Sequence, residues 1–270
     1  MLISFGVYKL SGKLFDSIAN DFLSSLVCQF VFAAMALLSV IVLRKTYIFR
    51  SDARKLKAGW KSSLLMLVPF TFTGLQALGE IPDFSVTGVE FIMFLIQMFL
   101  IGFSEETLFR GLIQNSFHRI FGEDSTIRVY LGVLCGSLCF GGMHLFNAFR
   151  PEISFNTALL QAIATFGTGL VFASIYFRTG KNLWFVIFLH ALNDVLAFTA
   201  SGRLSGASAG QAVSTSTSAA SAASLDPLHL LYAFCFFSAI SLFLLRPSKI
   251  RQLQEFDQEQ SSGKSMLQMQ

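Results

Sequence analysis

The sequence predicts an all-α, polytopic membrane protein of about seven transmembrane helices that enclose a polar intramembrane cavity. Its 270 residues are 53% hydrophobic and only 13% charged, whereas a soluble domain carries about 25% charged residues. The mean hydropathy is +0.61, and several apolar runs approach the ~20 residues that cross a bilayer. The net charge of +4 comes from basic residues in loops, which indicates topology signals rather than a nucleic-acid surface.

The N-terminal part, residues 1–87, is predicted to contain two spans and a basic cytoplasmic loop. Residues 1–19 are expected at the membrane surface, and the first span, 20–43, has no cleavable signal sequence before or within it. The second span covers 62–79. The loop between them holds one acid and many bases, the strongest positive-inside signal in the chain. Its basic residues are Arg44, Lys45, Arg50, Arg54, Lys55, Lys57 and Lys61.

Residues 88–199 are predicted to form the functional core from four apolar helices. A long helix begins the core and ends at Gly122. Three further spans follow at about 127–146, 156–177 and 183–199. Small residues at helical spacing predict close helix packing, whereas His118 near the end of the long helix is predicted to be structural. The small residues are Gly132 with Gly136, and Gly167 with Gly169.

The C-terminal part is predicted to be a flexible external linker, 200–226, and a last helix with a polar cytoplasmic tail, 227–270. The linker is rich in Ser, Ala and Gly and has no apolar core. If the spans alternate, every basic cluster falls on one side, with the N-terminus outside and the C-terminus cytoplasmic. We therefore expect a multi-pass protein of the cell membrane, of the kind found in a bacterial inner membrane. The four cysteines lie in apolar runs without disulfide or metal-site spacing.

Two adjacent carboxylates and an arginine interrupt the apolar sequence of the long core helix. Glu106 and Arg110 are four residues apart, so they share a helical face and can form an ion pair. Glu105 is rotated by about 100° from Glu106, so it is free to face a cleft. Ionisable groups at this depth cost at least ~2.5 kcal/mol each and usually mark function. The alternative is an interfacial helix end with Arg110 snorkelling to the headgroups.

Two further polar patterns favour the functional interpretation. The first is Phe140-x-x-x-His144, and the second is His190-Ala-Leu-Asn193-Asp194. His190 and Asp194 share a helical face, and Asn193 lies on nearly the same one. Because polar groups within a span need partners inside the bundle, we expect the three patterns to meet at one cavity that holds a water molecule.

Hydrolysis of a peptide bond requires residues of these types. A carboxylate removes a proton from the attacking water, and imidazole or amide groups donate to the developing oxyanion. Two histidines and a carboxylate are also a plausible divalent-metal set, for zinc as an example, formed by Glu105, His144 and His190. The residues leave both alternatives open.

The three patterns, in this order within a multi-span chain, resemble the CPBP family of intramembrane endopeptidases (CAAX protease and bacteriocin processing, or Abi), which includes the eukaryotic prenyl-protein endoprotease Rce1. The resemblance covers about residues 88–199. Its first motif corresponds to Glu105-Glu106-Thr-Leu-Phe-Arg110-Gly111. The other two correspond to Phe140 through His144 and His190 through Asp194.

The resemblance implies an endopeptidase in which Glu105 is the water-activating base. Glu106 and Arg110 would organise that base, and His144 and His190 would bind water, oxyanion or metal. The fourth residue after His190 is Asn or Asp in such proteins. Here it is Asp194, which can donate to an oxyanion only when it is protonated, and the neighbouring Asn193 could substitute as the donor. An ionised Asp194 would instead favour a metal or a charged His190.

The expected substrate is a peptide or protein in the membrane, with prenylated CAAX-type tails among the candidates. The expected partners are that substrate and the lipid bilayer, with no nucleic acid. One alternative is a non-catalytic bacteriocin-immunity or peptide-binding membrane protein. A proton-coupled transporter is disfavoured because the sequence has no internal repeat.

Overall fold

A computed structural model describes residues 21–50, 52–80, 86–149, 153–201 and 227–255 of the chain. Its regular elements are all helical, and no strand occurs among these residues. Most of the predicted surface segment 1–19, the linker and the end of the tail lie outside them.

Nine α-helices are numbered here, with short segments of other helix types between them, and a further helix, Pro247–Glu255, follows the last one. The α-helices are α1 (Asp21–Val42), α2 (Ala53–Gly59), α3 (Leu67–Glu80), α4 (Gly88–Glu106), α5 (Asn115–Phe121), α6 (Thr126–Met143), α7 (Phe155–Arg178), α8 (Leu183–Ala200) and α9 (Pro227–Leu244). The 3-10 segments are Thr46–Phe49, Trp60–Met66 and His144–Phe149. A π-helical segment, Thr107–Gln114, joins α4 to α5.

The chain is a multi-pass membrane protein by the length and composition of its helices. Five helices in the described ranges are long and apolar enough to cross a bilayer, and a bent pair makes a sixth if it counts as one span. The five are Ser25–Val42, Gly88–Phe121, Thr126–Phe149, Phe155–Arg178 and Leu183–Ala200.

Of the about seven spans expected, the described part of the chain contains five or six candidates. The predicted span at 62–79 corresponds to the shorter apolar helix Ser63–Gly79, whose first residues form a 3-10 segment. The last span is broken, because Leu231–Leu244 and Pro247–Glu255 meet at a bend of 41°. Pro247 has no backbone N–H and cannot continue a preceding helix, but it is favourable in the first turn of a new one.

Four of the long helices begin at a side chain that accepts a hydrogen bond from the first turn. Thr87 and Glu90 form a reciprocal capping box at the start of α4. Ser125, Ser154 and Asn182 cap α6, α7 and α8 in the same position. Each such cap stabilises a helix by about 1 kcal/mol, and together they fix where the core helices start.

Helix α7 is the most buried of the candidate spans and contacts α6 and α9 along its length. Helix α8 packs on α3 and on α4, and α4 in turn packs on α1. Gly167 of α7 faces Phe234 of α9. The site helices α4, α6, α7 and α8 are therefore held from several sides by apolar contacts.

The glycine pair on α6 confirms the predicted close packing. Gly132 lies against the His118 ring, and Gly136 lies against Gln114. His118 is buried and stacks on Phe177, in agreement with a structural role. These contacts place α6 directly against α5 and the π-helical segment, which follow the two adjacent glutamates of α4.

Several basic connections meet at one end of the bundle. Lys181 pairs with Glu123 of the loop after α5, and Arg178 donates to the carbonyl of Lys249 at 2.8 Å. Helix α2, which carries Lys55, contacts α7. The shared end agrees with the predicted clustering of charge, while its cytoplasmic location remains a prediction.

We expect Gly141→Ala to destabilise the protein, because a Cβ at Gly141 would lie 2.7 Å from both the Ala162 carbonyl oxygen and Phe166 Cβ. Overpacking of this kind costs about 1–3 kcal/mol. The matched control is Gly142→Ala, since a Cβ at Gly142 meets nothing within 4 Å. Thermal unfolding in detergent should give a lower midpoint for the first variant alone. Equal midpoints would contradict the close contact of α6 with α7.

Candidate active site

Glu106 is the buried centre of the site. Its side chain is 0% exposed, and its Oε1 lies 3.0 Å from the Arg110 guanidinium and 2.6 Å from His190 Nδ1. The pairing of Glu106 with Arg110 confirms the expectation from their spacing. Arg110 lies within the π-helical segment, and such widened turns occur frequently at functional sites.

The Arg110 guanidinium is enclosed by side chains from two other helices. It lies 4.3 Å from the Phe140 ring centroid and 5.9 Å from that of Phe172, and it donates to the Gly169 carbonyl at 3.3 Å. A Cβ at Gly169 would lie 3.0 Å from Phe140. Arg110 is only 2% exposed, so this is a buried ion pair and the interfacial snorkelling alternative is wrong.

The His190 ring is held by aromatic side chains as well as by Glu106. It stacks on Phe172, with centroids 5.4 Å apart and planes at 9°, and it meets the edge of Phe140 at 6.1 Å. A Cβ at Gly102 of α4 would lie 2.9 Å from the Ile187 carbonyl. This close approach of α4 to α8 brings His190 within reach of the glutamates.

The other nitrogen of His190 faces two more carboxylates. Nε2 lies 3.4 Å from Asp194 and 3.7 Å from Glu105. Glu105 is 24% exposed, compared with 0% for Glu106, which agrees with the expectation of one anchored and one available carboxylate. Three carboxylates thus surround one imidazole and one guanidinium, so the acidic side chains of this group outnumber the basic ones by one.

Asp194 is a hydrogen-bond acceptor in this site. It faces His190 across one helical turn, as its spacing predicts, and the Asn193 amide lies 3.4 Å from its Oδ1. Asn193 is only partly buried. The geometry therefore assigns Asp194 to His190 and leaves Asn193 at the edge of the site.

His144 joins the site through Phe140. Its ring meets Phe140 edge-on at 5.4 Å, and its Nδ1 lies 3.0 Å from the Gln161 amide nitrogen. Nε2 is buried and has no hydrogen-bond partner among the described residues. Phe140 therefore contacts Arg110, His144 and His190 together.

The sequence reasoning missed two residues of the site. Gln161 is fully buried in an apolar span, where an uncharged polar residue is itself a signal of an internal partner. Phe172 carries no such signal, because one phenylalanine in a helix with many apolar residues is indistinguishable from ordinary packing.

The described residues do not gather a three-ligand metal site. No group of three His, Cys, Asp or Glu side chains among them is arranged to hold an ion. The Nδ1 contacts of His190 with Glu106 and of His144 with Gln161 leave only Nε2 of each ring for another partner. Because Glu105, His144 and His190 are not gathered into a ligand group, this set does not fit a metal in this geometry, and the chemistry below uses the side chains alone.

A family model matches the part of the chain that carries this site. No curated protein and no solved structure matches the chain. Residues 87–196 match the family model described as type II CAAX prenyl endopeptidase Rce1-like. The matched range runs from the cap of α4 into α8 and contains all three polar patterns. Over this segment, the chain is similar to the Rce1-like type II CAAX prenyl endopeptidases.

Proposed function

We propose that the protein is an intramembrane endopeptidase that hydrolyses a peptide bond with a water molecule activated by Glu105. The observation that carries the proposal is the contrast between two adjacent carboxylates. Glu106 is buried between Arg110 and His190, whereas Glu105 is partly exposed beside the same imidazole. A fixed acid–imidazole pair next to an accessible carboxylate is the arrangement that general-base hydrolysis requires.

In the first step, the water oxygen attacks the carbonyl carbon while its proton moves to a Glu105 carboxylate oxygen. The carbonyl oxygen becomes an oxyanion, and N–H donors from the imidazoles of His144 and His190 stabilise it. In the second step, Glu105 returns the proton to the amide nitrogen and the C–N bond breaks. The products are a carboxylic acid and an amine, the acid releases its proton to the amine or to water, and Glu105 is ready for another cycle.

Glu106 and Arg110 act through His190 rather than on the substrate. Glu106 accepts from His190 Nδ1, which fixes the ring orientation and favours a positive imidazole. Arg110 supplies the opposite charge beside Glu106, because a buried carboxylate without a partner is costly. Asp194 supports the same positive charge at Nε2.

The proposed substrate is a membrane-associated peptide, and the family match favours a prenylated C-terminal tail. The site lies among helices that are apolar enough to span a bilayer, so a peptide that enters laterally from lipid need not cross bulk water. A library of tail peptides with and without a prenylated cysteine, incubated in oxygen-18 water, would identify cleaved products by the oxygen-18 in their new carboxylates.

We expect Glu105→Gln to reduce hydrolysis by about 10²–10⁴-fold, because a carboxamide cannot accept the water proton. The matched control is Glu90→Gln on the same helix, where glutamine also completes a capping box, so activity should stay at the wild-type level. Cleavage by purified protein in detergent is the measurement. A Glu105→Gln protein that cleaves at the wild-type rate would overturn the proposal. Full biological activity without any cleavage would favour the peptide-binding alternative.

We expect activity to survive removal of divalent metal, since the described residues gather no three-ligand site. Purified protein treated with a chelator and passed through a desalting column should cleave at the untreated rate, and its metal content should be well below one ion per chain. Loss of cleavage that added Zn²⁺ restores would show instead that a metal takes part.

A further inference from the structure

His144, Gln161 and Asn147 form a row of side chains linked by hydrogen bonds. The Gln161 amide nitrogen lies 3.0 Å from His144 Nδ1, and the Asn147 amide nitrogen donates to Gln161 Oε1 at 2.7 Å. Gln161 is fully buried on α7, and His144 is nearly so. Both ends of the Gln161 carboxamide are therefore engaged, which fixes its orientation.

The local fold explains why these three residues meet. His144 and Asn147 lie three residues apart in the 3-10 segment His144–Phe149, and side chains at that spacing eclipse one another in a 3-10 helix. Gly141 lies against the Ala162 carbonyl, so the end of α6 approaches α7 where Gln161 lies. The polar row is thus built by helix type and by close backbone contact.

The direction of the row determines the tautomer of His144. Because Asn147 donates to Gln161 Oε1, the nitrogen of the carboxamide faces His144. That nitrogen is a donor only, so Nδ1 must be the unprotonated, accepting nitrogen. The hydrogen of the neutral ring is then on Nε2, the buried nitrogen without a partner among the described residues.

At His190, the hydrogen bond at Nδ1 has the opposite direction. Its Nδ1 faces the Glu106 carboxylate, which accepts hydrogen bonds and favours a positive ring. An amide donor at Nδ1 instead opposes protonation of His144, because a proton there would face an N–H group. The two imidazoles of the site therefore differ in protonation state: His190 is positively charged, and His144 is neutral and donates from Nε2.

We propose that Gln161 and Asn147 are positioning residues that hold His144 in its Nε2–H tautomer, so that Nε2 donates a hydrogen bond to the oxyanion. This inference rests on the proposed peptidase function and assigns two residues to it. Neither residue touches the substrate. Both act through the hydrogen that His144 presents.

Two variants reverse the row from different positions. In Gln161→Glu, the carboxylate can only accept, so His144 must carry its hydrogen on Nδ1. In Asn147→Asp, the new carboxylate accepts from the Gln161 amide, which turns the carboxamide and presents its oxygen to His144. Asn156→Asp is the matched control, because it adds the same charge at an exposed position in the first turn of α7.

The first measurement is the ring-nitrogen NMR spectrum of protein labelled with nitrogen-15 histidine. The chain has four histidines, and the signals missing from His144→Ala identify those of His144. We expect an unprotonated Nδ1 in the wild type and in Asn156→Asp, and a protonated Nδ1 in both row variants. A wild-type His144 with hydrogen on Nδ1, or a tautomer unchanged in both variants, would overturn the proposal.

The second measurement separates kcat from KM. Loss of one oxyanion donor typically lowers kcat by about 10²–10³-fold, so Asn147→Asp, in which the turned carboxamide faces a neutral ring, should lose kcat in that range while KM changes little. Gln161→Glu places a carboxylate at Nδ1, which favours a positive ring that keeps its Nε2 hydrogen, so its kcat should fall less. If Asn147→Asp inverts the tautomer but keeps the wild-type kcat, His144 does not serve the oxyanion and the proposal fails. If Asn147→Asp unfolds, as shown by its melting curve, Gln161→Glu still tests the proposal, because an Nδ1 that stays unprotonated in that variant overturns it.

The two proposals fail in distinguishable ways. If the Glu105→Gln protein cleaves at the wild-type rate, the proposed peptidase mechanism is wrong, whatever the NMR spectrum of His144 shows. An inactive Glu105→Gln protein, together with an unaltered tautomer and kcat in the row variants, removes only the role of Gln161 and Asn147.

Discussion

The buried ion pair between Glu106 and Arg110 is the interaction on which the rest of the site depends. Charges taken out of water are costly unless each is paired and hydrogen-bonded. Here the pair is completed by the Gly169 carbonyl, by His190 and by the face of Phe140. The charges therefore bring together α4, α6, α7 and α8, which supply these partners. Removal of one partner would leave the other charge buried, a loss typically worth 3–5 kcal/mol.

The side chains of the site can meet because the helix backbones approach one another closely. Helix α4 reaches α8 at Gly102, α6 reaches α7 at Gly141, and α7 reaches Phe140 at Gly169. Without a hydrophobic driving force between helices in lipid, packing of this kind supplies much of the association energy in membranes. The same contacts that stabilise the bundle also set the distances within the site.

Sequence periodicity predicted those parts of the site that lie within one helix. Glu106 with Arg110, and His190 with Asp194, are neighbours because of helical spacing alone, and the structure confirms both pairs. Contacts between helices were predicted only as a general convergence. The stacking of Phe172 on His190 depends on the relative rotation of α7 and α8. That rotation cannot be predicted from the pattern of apolar residues.

The ends of the helices were also predicted best where a local sequence signal marks them. The capped starts of the core helices lie close to the expected positions, because Thr87, Ser125, Ser154 and Asn182 are local signals. The last helix ends at Leu244, close to the expected end of the last span, whereas the apolar helix Ser63–Gly79 is shorter than the other candidate spans. Hydropathy reports how apolar a segment is, but it does not report whether its backbone forms one continuous α-helix.

The position of Phe140 makes the spacing of the polar site depend on an apolar group. One benzene ring contacts the guanidinium and both imidazoles, so its width sets how far apart those three groups stand. A smaller side chain there would release three constraints at once, and the resulting shifts would be correlated rather than independent. Catalytic precision in this bundle is thus governed by the dimensions of a hydrocarbon spacer that takes no part in proton transfer.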